Sequence, residues 1–280
     1  MLPGRHTCLS WLHAGPGLSS IPLLAAAGGA PTYVIAVGDR RRVVRVLARL
    51  EEPLDLAEHC KRAIGERAAG RVALGVGRVG PAVVMAVETQ MGGPPTEIIL
   101  REVLDESFHA KGARAVIRVG TCGTLAERGV VPALVIAAFA TGWSAAAEQQ
   151  ARGVLGPPAE FDPQRPPRPP VISCSAPVVA ALRAAAAQAV VSGVFSKDSL
   201  YAEQDEAFME ILRELGCAAT EMELATLGPI AAAKGVAWGG IMATAGRLDR
   251  EAWLAADETE RNEDAAIAAA LEAISSLYRA

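Results

Sequence analysis

The 280 residues are enough for one large globular domain of the α/β kind. Apolar residues make up 51% of the chain but aromatics only 4%, so the core has to be built from Ala, Val and Leu; this suits helices packed on a sheet and disfavours an aromatic-rich β-sandwich. The net charge of −4, from 27 basic and 31 acidic residues, excludes a general attraction to nucleic acid or anionic membrane, so any anion site must be local.

The first 30 residues carry an Ala/Leu patch that Pro and Gly interrupt before it reaches the length of a signal peptide. They are expected to form an N-terminal arm (1–30) ahead of a single domain (31–280). No stretch reaches the roughly 20 apolar residues of a membrane helix. Cys8, Cys60, Cys122, Cys174 and Cys217 are odd in number and scattered without C-x-x-C spacing, which predicts neither a disulfide framework nor a zinc site. The expectation is a soluble, cytoplasmic protein in a reducing compartment, with no metal and no organic cofactor.

In chain order, "TYVIAVGD" (Thr32 to Asp39) reads as a strand stopped by Gly38, and the arginine-rich run after it has helical spacing. Arg71 to Thr89 reads as two strands joined near Gly77 to Pro81, and a helix follows Pro94 and Pro95. "ARAVIRVGTCG" is a buried strand that is expected to break into a glycine-bounded turn, and "VPALVIAAFA" (Val131 to Ala140) is another strand. The Pro-rich stretch Gly156 to Pro170 is expected to be a surface loop. Next come an Ala-rich helix with Ser175 as its N-cap, the strand "VVSGVFSK", and a helix closed by Gly216. "TEMELATLGPIAAAKG" reads as a helix that begins with acidic residues, "VAWGGIMATAG" as a last strand, and the C-terminus as an amphipathic helix. Strands alternating with helices predict a mixed, mostly parallel sheet with helices on both faces.

Arg118 stands in the middle of an apolar strand, where a guanidinium needs a carboxylate or an anionic ligand. Taken alone it reads as half of an internal ion pair. The glycines that follow shift that reading: Gly120 and Gly123 let backbone N–H groups approach a ligand and Thr121 adds a hydroxyl, the makings of a phosphate site. "VGDRRRV" offers a second such place, with Gly38 at a strand end and Arg42 spaced to fold back over the same turn. Arg40, Arg41 and Arg45 read as a solvated helix face.

"VGDRRRV", "ETQMGGPPTEIILREV", "VIRVGTCGTL", "SKDSLYAEQDE", "TEMELATL" and "TAGRLDRE" occur in the order and approximate spacing of the nucleoside phosphorylase family, which includes uridine phosphorylase and the hexameric purine nucleoside phosphorylases. The chain resembles that family from about Tyr33 to about Asp249. The resemblance implies that Gly38, Arg42, Arg118 and Thr121 hold phosphate, joined by an arginine lent from a neighbouring subunit, for which Arg71 is the first choice and Arg62 and Arg67 stay open. It implies that Met222 packs on the ribose, that Glu223 takes the 2′- and 3′-hydroxyls, and that His13 meets the 5′-hydroxyl across the subunit interface. On the base side it implies Gly123, Gln204, Glu221 and Arg247, with Arg247 stabilising a leaving uracil anion where a purine enzyme has an acidic residue. Borrowed residues imply a homo-oligomer, a dimer or a trimer of dimers.

The expected function is therefore phosphate-dependent cleavage of a pyrimidine nucleoside, uridine-like, to free base and ribose 1-phosphate, with inorganic phosphate as co-substrate. Arg118, Arg247 and Glu223 are the expected catalytic residues. Three departures from the family pattern fall on the base half: Glu206 stands for a second arginine, Gln90 for a glycine beside the ligand, and Leu200 for a frequent aromatic. They keep open a phosphorylase of a purine or modified nucleoside, and a non-catalytic nucleoside-binding homologue.

Overall fold

The strand expected at Tyr33 is the centre of the sheet. In the computed structural model, which describes residues 21–23, 31–59, 72–104, 112–125, 131–144, 169–200, 205–248 and 252–280, β1 (Tyr33–Val37) is buried along its whole length between two parallel neighbours. Asp39 ends the turn after it. Its carboxylate accepts the Arg42 backbone N–H at 2.9 Å and caps α1 (Arg40–Leu47). The antiparallel strands β2 (Glu51–Asp55), β3 (Leu74–Val79) and β4 (Ala82–Glu88) follow, with β3 and β4 joined by a turn in which Gly80 takes a φ of 54°. Helix α2 (Gly93–Leu104) holds Pro94 and Pro95 inside its first turn rather than ahead of it, where their missing N–H groups cost nothing.

The expected break after Arg118 does not occur. Strand β5 (Ala115–Thr124) runs straight through Gly120 and Gly123. These glycines serve close packing instead of a turn: a Cβ on Gly120 would lie 2.9 Å from the Met242 sulfur, and one on Gly123 would lie 2.6 Å from Leu248 Cδ2. β6 (Leu134–Trp143) and the short β7 (Ile172–Ser173) lead to α3 (Ala176–Ala185). Ser175 stands at the N-cap of α3, yet its hydroxyl does not cap; it accepts the Trp238 N–H at 2.9 Å and ties the helix to the next strand layer.

β8 (Val190–Lys197) and α4 (Glu206–Glu214) follow the sequence reading, with Gly216 at φ 70° closing the helix. The acidic run "TEMEL" does not. Its first residues complete a strand, β9 (Cys217–Glu221), and α5 (Leu224–Ala233) begins only after Glu223. The change of state comes from burial, since β9 is inserted between β8 and β5 and its five residues are all buried. β10 (Ala237–Arg247), the two-residue β11 (Ala252–Trp253) and α6 (Ala256–Arg279) complete the chain.

The sheet is mixed, in the order β11-β10-β6-β8-β9-β5-β1-β4-β3-β2 with β7 on β6, and β10 also pairs with β5. That last pairing closes β5, β10, β6, β8 and β9 into a ring, while β1 to β4 extend from it as an open wing. Parallel pairs join β1 to β4 and β5, β5 to β10, and β8 to β6 and β9. Helices cover both faces. Alternate residues of β1 divide between two cores: Val34 and Ala36 pack in the layer that includes Leu224 and Leu227 of α5, whereas Tyr33, Ile35 and Val37 pack in the layer that includes Ile267 and Ile274 of α6. The expected N-terminal arm falls almost wholly outside the described residues, as do residues 156–168 of the expected Pro-rich loop. None of the helices among the described residues is long and apolar enough to cross a membrane.

Candidate active site

The ring opens on a cavity of about 500 Å³ where β5, β9 and β10 end and α5 begins. Among the residues lining it are Arg118, Thr121, Gly123, Glu221, Met222, Glu223 and Arg247, seven of those singled out from the sequence. Six strand residues separate Arg118 from Thr124, the partner of Arg247 in the β5–β10 ladder, so the cavity extends about 20 Å along β5 at ~3.3 Å per residue. Arg118 marks one end and Arg247 the other.

At the Arg118 end the guanidinium is only 3% exposed. It donates to the Thr89 hydroxyl at 3.0 Å and to Glu223 Oε2 at 2.5 Å, and its Nε lies 4.0 Å from Glu221 Oε2 without a hydrogen bond. Glu223 also accepts the Gly92 N–H at 2.8 Å, which locks α2's entry to α5's. Glu221 points the other way in its bonding: it accepts the Ser196 hydroxyl and the N–H groups of Glu223 and Leu224, so it caps α5 from the end of β9. Burial, then the neighbouring Glu223 carboxylate, push Glu221 up to about 7 against the pull of Arg118.

A second guanidinium converges on the first. Arg42 Nη2 and Arg118 Nη2 lie 3.4 and 3.5 Å from the point that a Cβ on Gly38 would occupy. Only a glycine leaves that point open. Arg42 is clamped by Asp39, whose Oδ2 takes both Nε and Nη2 at 2.7 Å, and by Glu263 of α6 at 3.6 Å. Burial works to raise the Asp39 carboxyl, but Arg42 outweighs it and holds it below the usual carboxylate range. Arg42 Nη1, like Arg118 Nε, is buried without a hydrogen-bond partner. Two buried cations with unsatisfied donors beside a bare glycine make a site for a compact oxyanion.

Arg45, read from the sequence as solvated, instead joins Glu263 and Asp264 across to α6, with Arg49 on the same Asp264. The carboxylates that hold it lie more than 200 residues away, beyond the reach of local spacing.

At the Arg247 end the walls are apolar: Leu200, Leu248, Met91 and Trp253. Glu206, which the sequence places in the base pocket, is at the start of α4 with its side chain 77% exposed and paired to Arg213 at 2.6 Å. The helix begins one residue earlier than a loop reading requires, with Asp205 as its N-cap, and this carries Glu206 outward. Gln90 takes the left-handed φ of 60° that suits the glycine it replaces, and Met91 rather than Gln90 lines the cavity. Lys197 lines it too; burial lowers its ammonium, which donates to the Leu200 carbonyl at 3.3 Å. Cys122 is a buried wall thiol pushed up to about 12 by burial, so it stays neutral and is no nucleophile.

His13, Gln204 and Arg71, with Arg62 and Arg67, lie outside the described residues. Among the described residues no group of His, Cys, Asp and Glu is placed to hold a metal ion. The residues that sequence reasoning missed are Thr89 and Ser196, the hydroxyls that orient Arg118 and Glu221, and Trp253, which comes from a strand only two residues long.

The sequence pattern of the phosphorylase superfamily matches residues 32–277. Among solved structures, the purine nucleoside phosphorylase from Toxoplasma gondii in complex with immucillin-H is similar in fold. It is 20% identical, with 89% of this chain and 92% of that one covered and a TM-score of 0.68. Among curated proteins no sequence matches significantly.

Proposed function

The chain belongs to the phosphorylase superfamily, and from that premise we propose that it cleaves the N-glycosidic bond of a nucleoside with inorganic phosphate, releasing free base and ribose 1-phosphate. The observation that carries this reading is the convergence of Arg42 and Arg118 on Gly38, with Glu223 beside them. Cleavage of this bond passes through an oxocarbenium-like sugar. The site must therefore hold a phosphate beneath the anomeric carbon and fix the ribose from its hydroxyl side. Arg42, Arg118, Thr121 and the Gly38 backbone are assigned to phosphate, Glu223 to the 2′- and 3′-hydroxyls, and Met222 to the sugar face. Phosphate attacks the anomeric carbon as the C–N bond breaks, and the bonding pair leaves on the base.

The base is proposed to be a pyrimidine, uridine-like, because Arg247 offers a cation to a leaving uracil anion and Glu206, which would oppose that role, faces away from the cavity. A purine reading is favoured by one observation, the overall likeness to a purine nucleoside phosphorylase. Incubation with uridine, thymidine, 2′-deoxyuridine, inosine and adenosine, with and without phosphate, separates the two. Phosphate-dependent uracil release supports the pyrimidine reading; release confined to hypoxanthine or adenine moves the assignment to purines, and release from none overturns the reading. His13 and Arg71 are proposed to enter a neighbouring subunit's site, so a homo-oligomer is proposed with them.

A further inference from the structure

Trp253 is the most exposed large apolar side chain among the described residues, at 70%, and it lines the cavity at the Arg247 end. An indole left open at a cleft mouth forgoes the burial that normally places tryptophan inside, so its position calls for a use. Its backbone is held firmly for so exposed a residue. Trp253 pairs with Gly246 and Ala252 with Arg247 in the β10–β11 ladder, and the Leu254 N–H donates to the Ala245 carbonyl at 2.9 Å.

Gly246 explains how the ring is carried. A Cβ on Gly246 would lie 3.4 Å from the indole Cε3, so the ring rests against a position with no side chain. Part of the indole is thereby seated and the remainder is left open. The other walls at this end, Leu200, Leu248 and Met91, are aliphatic or thioether, and Trp253 is the one aromatic among the described lining residues. It is also one strand pair away from Arg247, the cation at the same end.

We propose that Trp253 is the stacking platform of the cavity, taking the planar face of the heterocyclic base while Arg247 meets its polar edge. The assignment rests on the nucleoside reading above and deepens it. A stacked aromatic contact of this kind tolerates any base, because every base has a π-face, so Trp253 sets affinity for nucleosides as a class and leaves the choice among them to Arg247.

The test uses the full-length wild type with Trp253→Ala and Trp253→Phe, following KM for uridine and for phosphate separately, the oligomeric state, and tryptophan fluorescence on adding uridine without phosphate. Stacking is worth ~1–3 kcal/mol per base, so Trp253→Ala is expected to raise the nucleoside KM roughly tenfold or more while the phosphate KM stays within about twofold. Trp253→Phe is expected to restore most of the loss. Uridine is expected to quench the wild type and not Trp253→Phe, which keeps Trp11, Trp143 and Trp238. An unchanged nucleoside KM in Trp253→Ala, quenching that persists in Trp253→Phe, or dissociation of the oligomer with both KM values moving together would overturn the assignment to the base. If the wild type neither cleaves nor is quenched by any nucleoside, the phosphorylase reading fails and this assignment goes with it; normal cleavage by Trp253→Ala defeats the assignment alone.

Discussion

Arg118 and Glu223, 105 residues apart in the chain, meet at 2.5 Å in the interior of the site, each almost fully buried. The cation proposed to hold phosphate and the carboxylate proposed to hold the ribose diol thus hold one another. The ion pair that a lone strand arginine suggests and the ligand site that its surroundings suggest are the same two residues. Phosphate that draws Arg118 toward Gly38 loosens its hold on Glu223, so phosphate is expected to lower the KM for nucleoside.

Breaking this pair from one side strands a buried charge. Arg118→Ala and Glu223→Ala are each expected to destabilise the fold by about 3–5 kcal/mol and to lower kcat/KM by about 10²–10³-fold or more. The double variant Arg118→Met/Glu223→Gln is expected to recover stability beyond the sum of its single changes and to recover no activity. Chemical denaturation of the four proteins as a double-mutant cycle reads the coupling directly; strict additivity would show that the two side chains do not interact.

Gly38→Ala probes the phosphate end without removing a charge. The added methyl would meet Arg42 and Arg118 at 3.4 and 3.5 Å, where both lie against flexible guanidinium ends. The fold is expected to lose under about 1 kcal/mol, since Gly38 is not at a positive φ. The KM for phosphate is expected to rise roughly tenfold, about 1.4 kcal/mol of lost binding, with the nucleoside KM little changed. Equal increases in both would place the anion elsewhere.

Glu221 makes stability depend on pH. Its folded-state value, about 7, lies above the ordinary carboxylate value of 4.5, so the folded chain binds this proton more tightly than the unfolded one. The stabilisation is fully present below pH 4.5 and is lost as pH rises through about 7. Glu221→Gln, which cannot ionise, is expected to lack that loss. Its melting temperature relative to wild type should climb from pH 5 to pH 8, and a difference that stays constant with pH would contradict the assignment.

Arg247 tests the base. Arg247→Ala is expected to lower kcat for uridine by about 10²-fold through the lost stabilisation of the leaving anion, with little change in the phosphate KM. Single-turnover release of uracil measures that step. An unchanged rate would remove Arg247 from the chemistry and weaken the pyrimidine reading.

The parts of the site that could be read in the sequence are those built from local pattern. Gly38 and Arg42 sit on one strand–turn–helix unit, and Arg118 stands out because a charge interrupts an apolar run. What could not be read depends on partners remote in sequence. Gly120 and Gly123 look like a turn until Met242 and Leu248 are packed against them. "TEMEL" looks like a helix start until β8 and β5 pair on either side of β9. Thr89 gives no signal of its own, and its role follows only from the ladder that sets β4 beside β1 and β5. The fold class survives these errors because strand-and-helix alternation does not depend on where each element ends.

The most direct measurement is a phosphorus balance. Purified protein is incubated with uridine and inorganic phosphate, and ribose 1-phosphate is followed by phosphorus NMR beside free base. One ribose 1-phosphate formed for each base released, with neither product from Arg118→Ala, is the result predicted by a phosphate held between Arg42 and Arg118. Base released without consumption of phosphate would mean that water attacks the sugar, and would contradict the assignment of these two arginines.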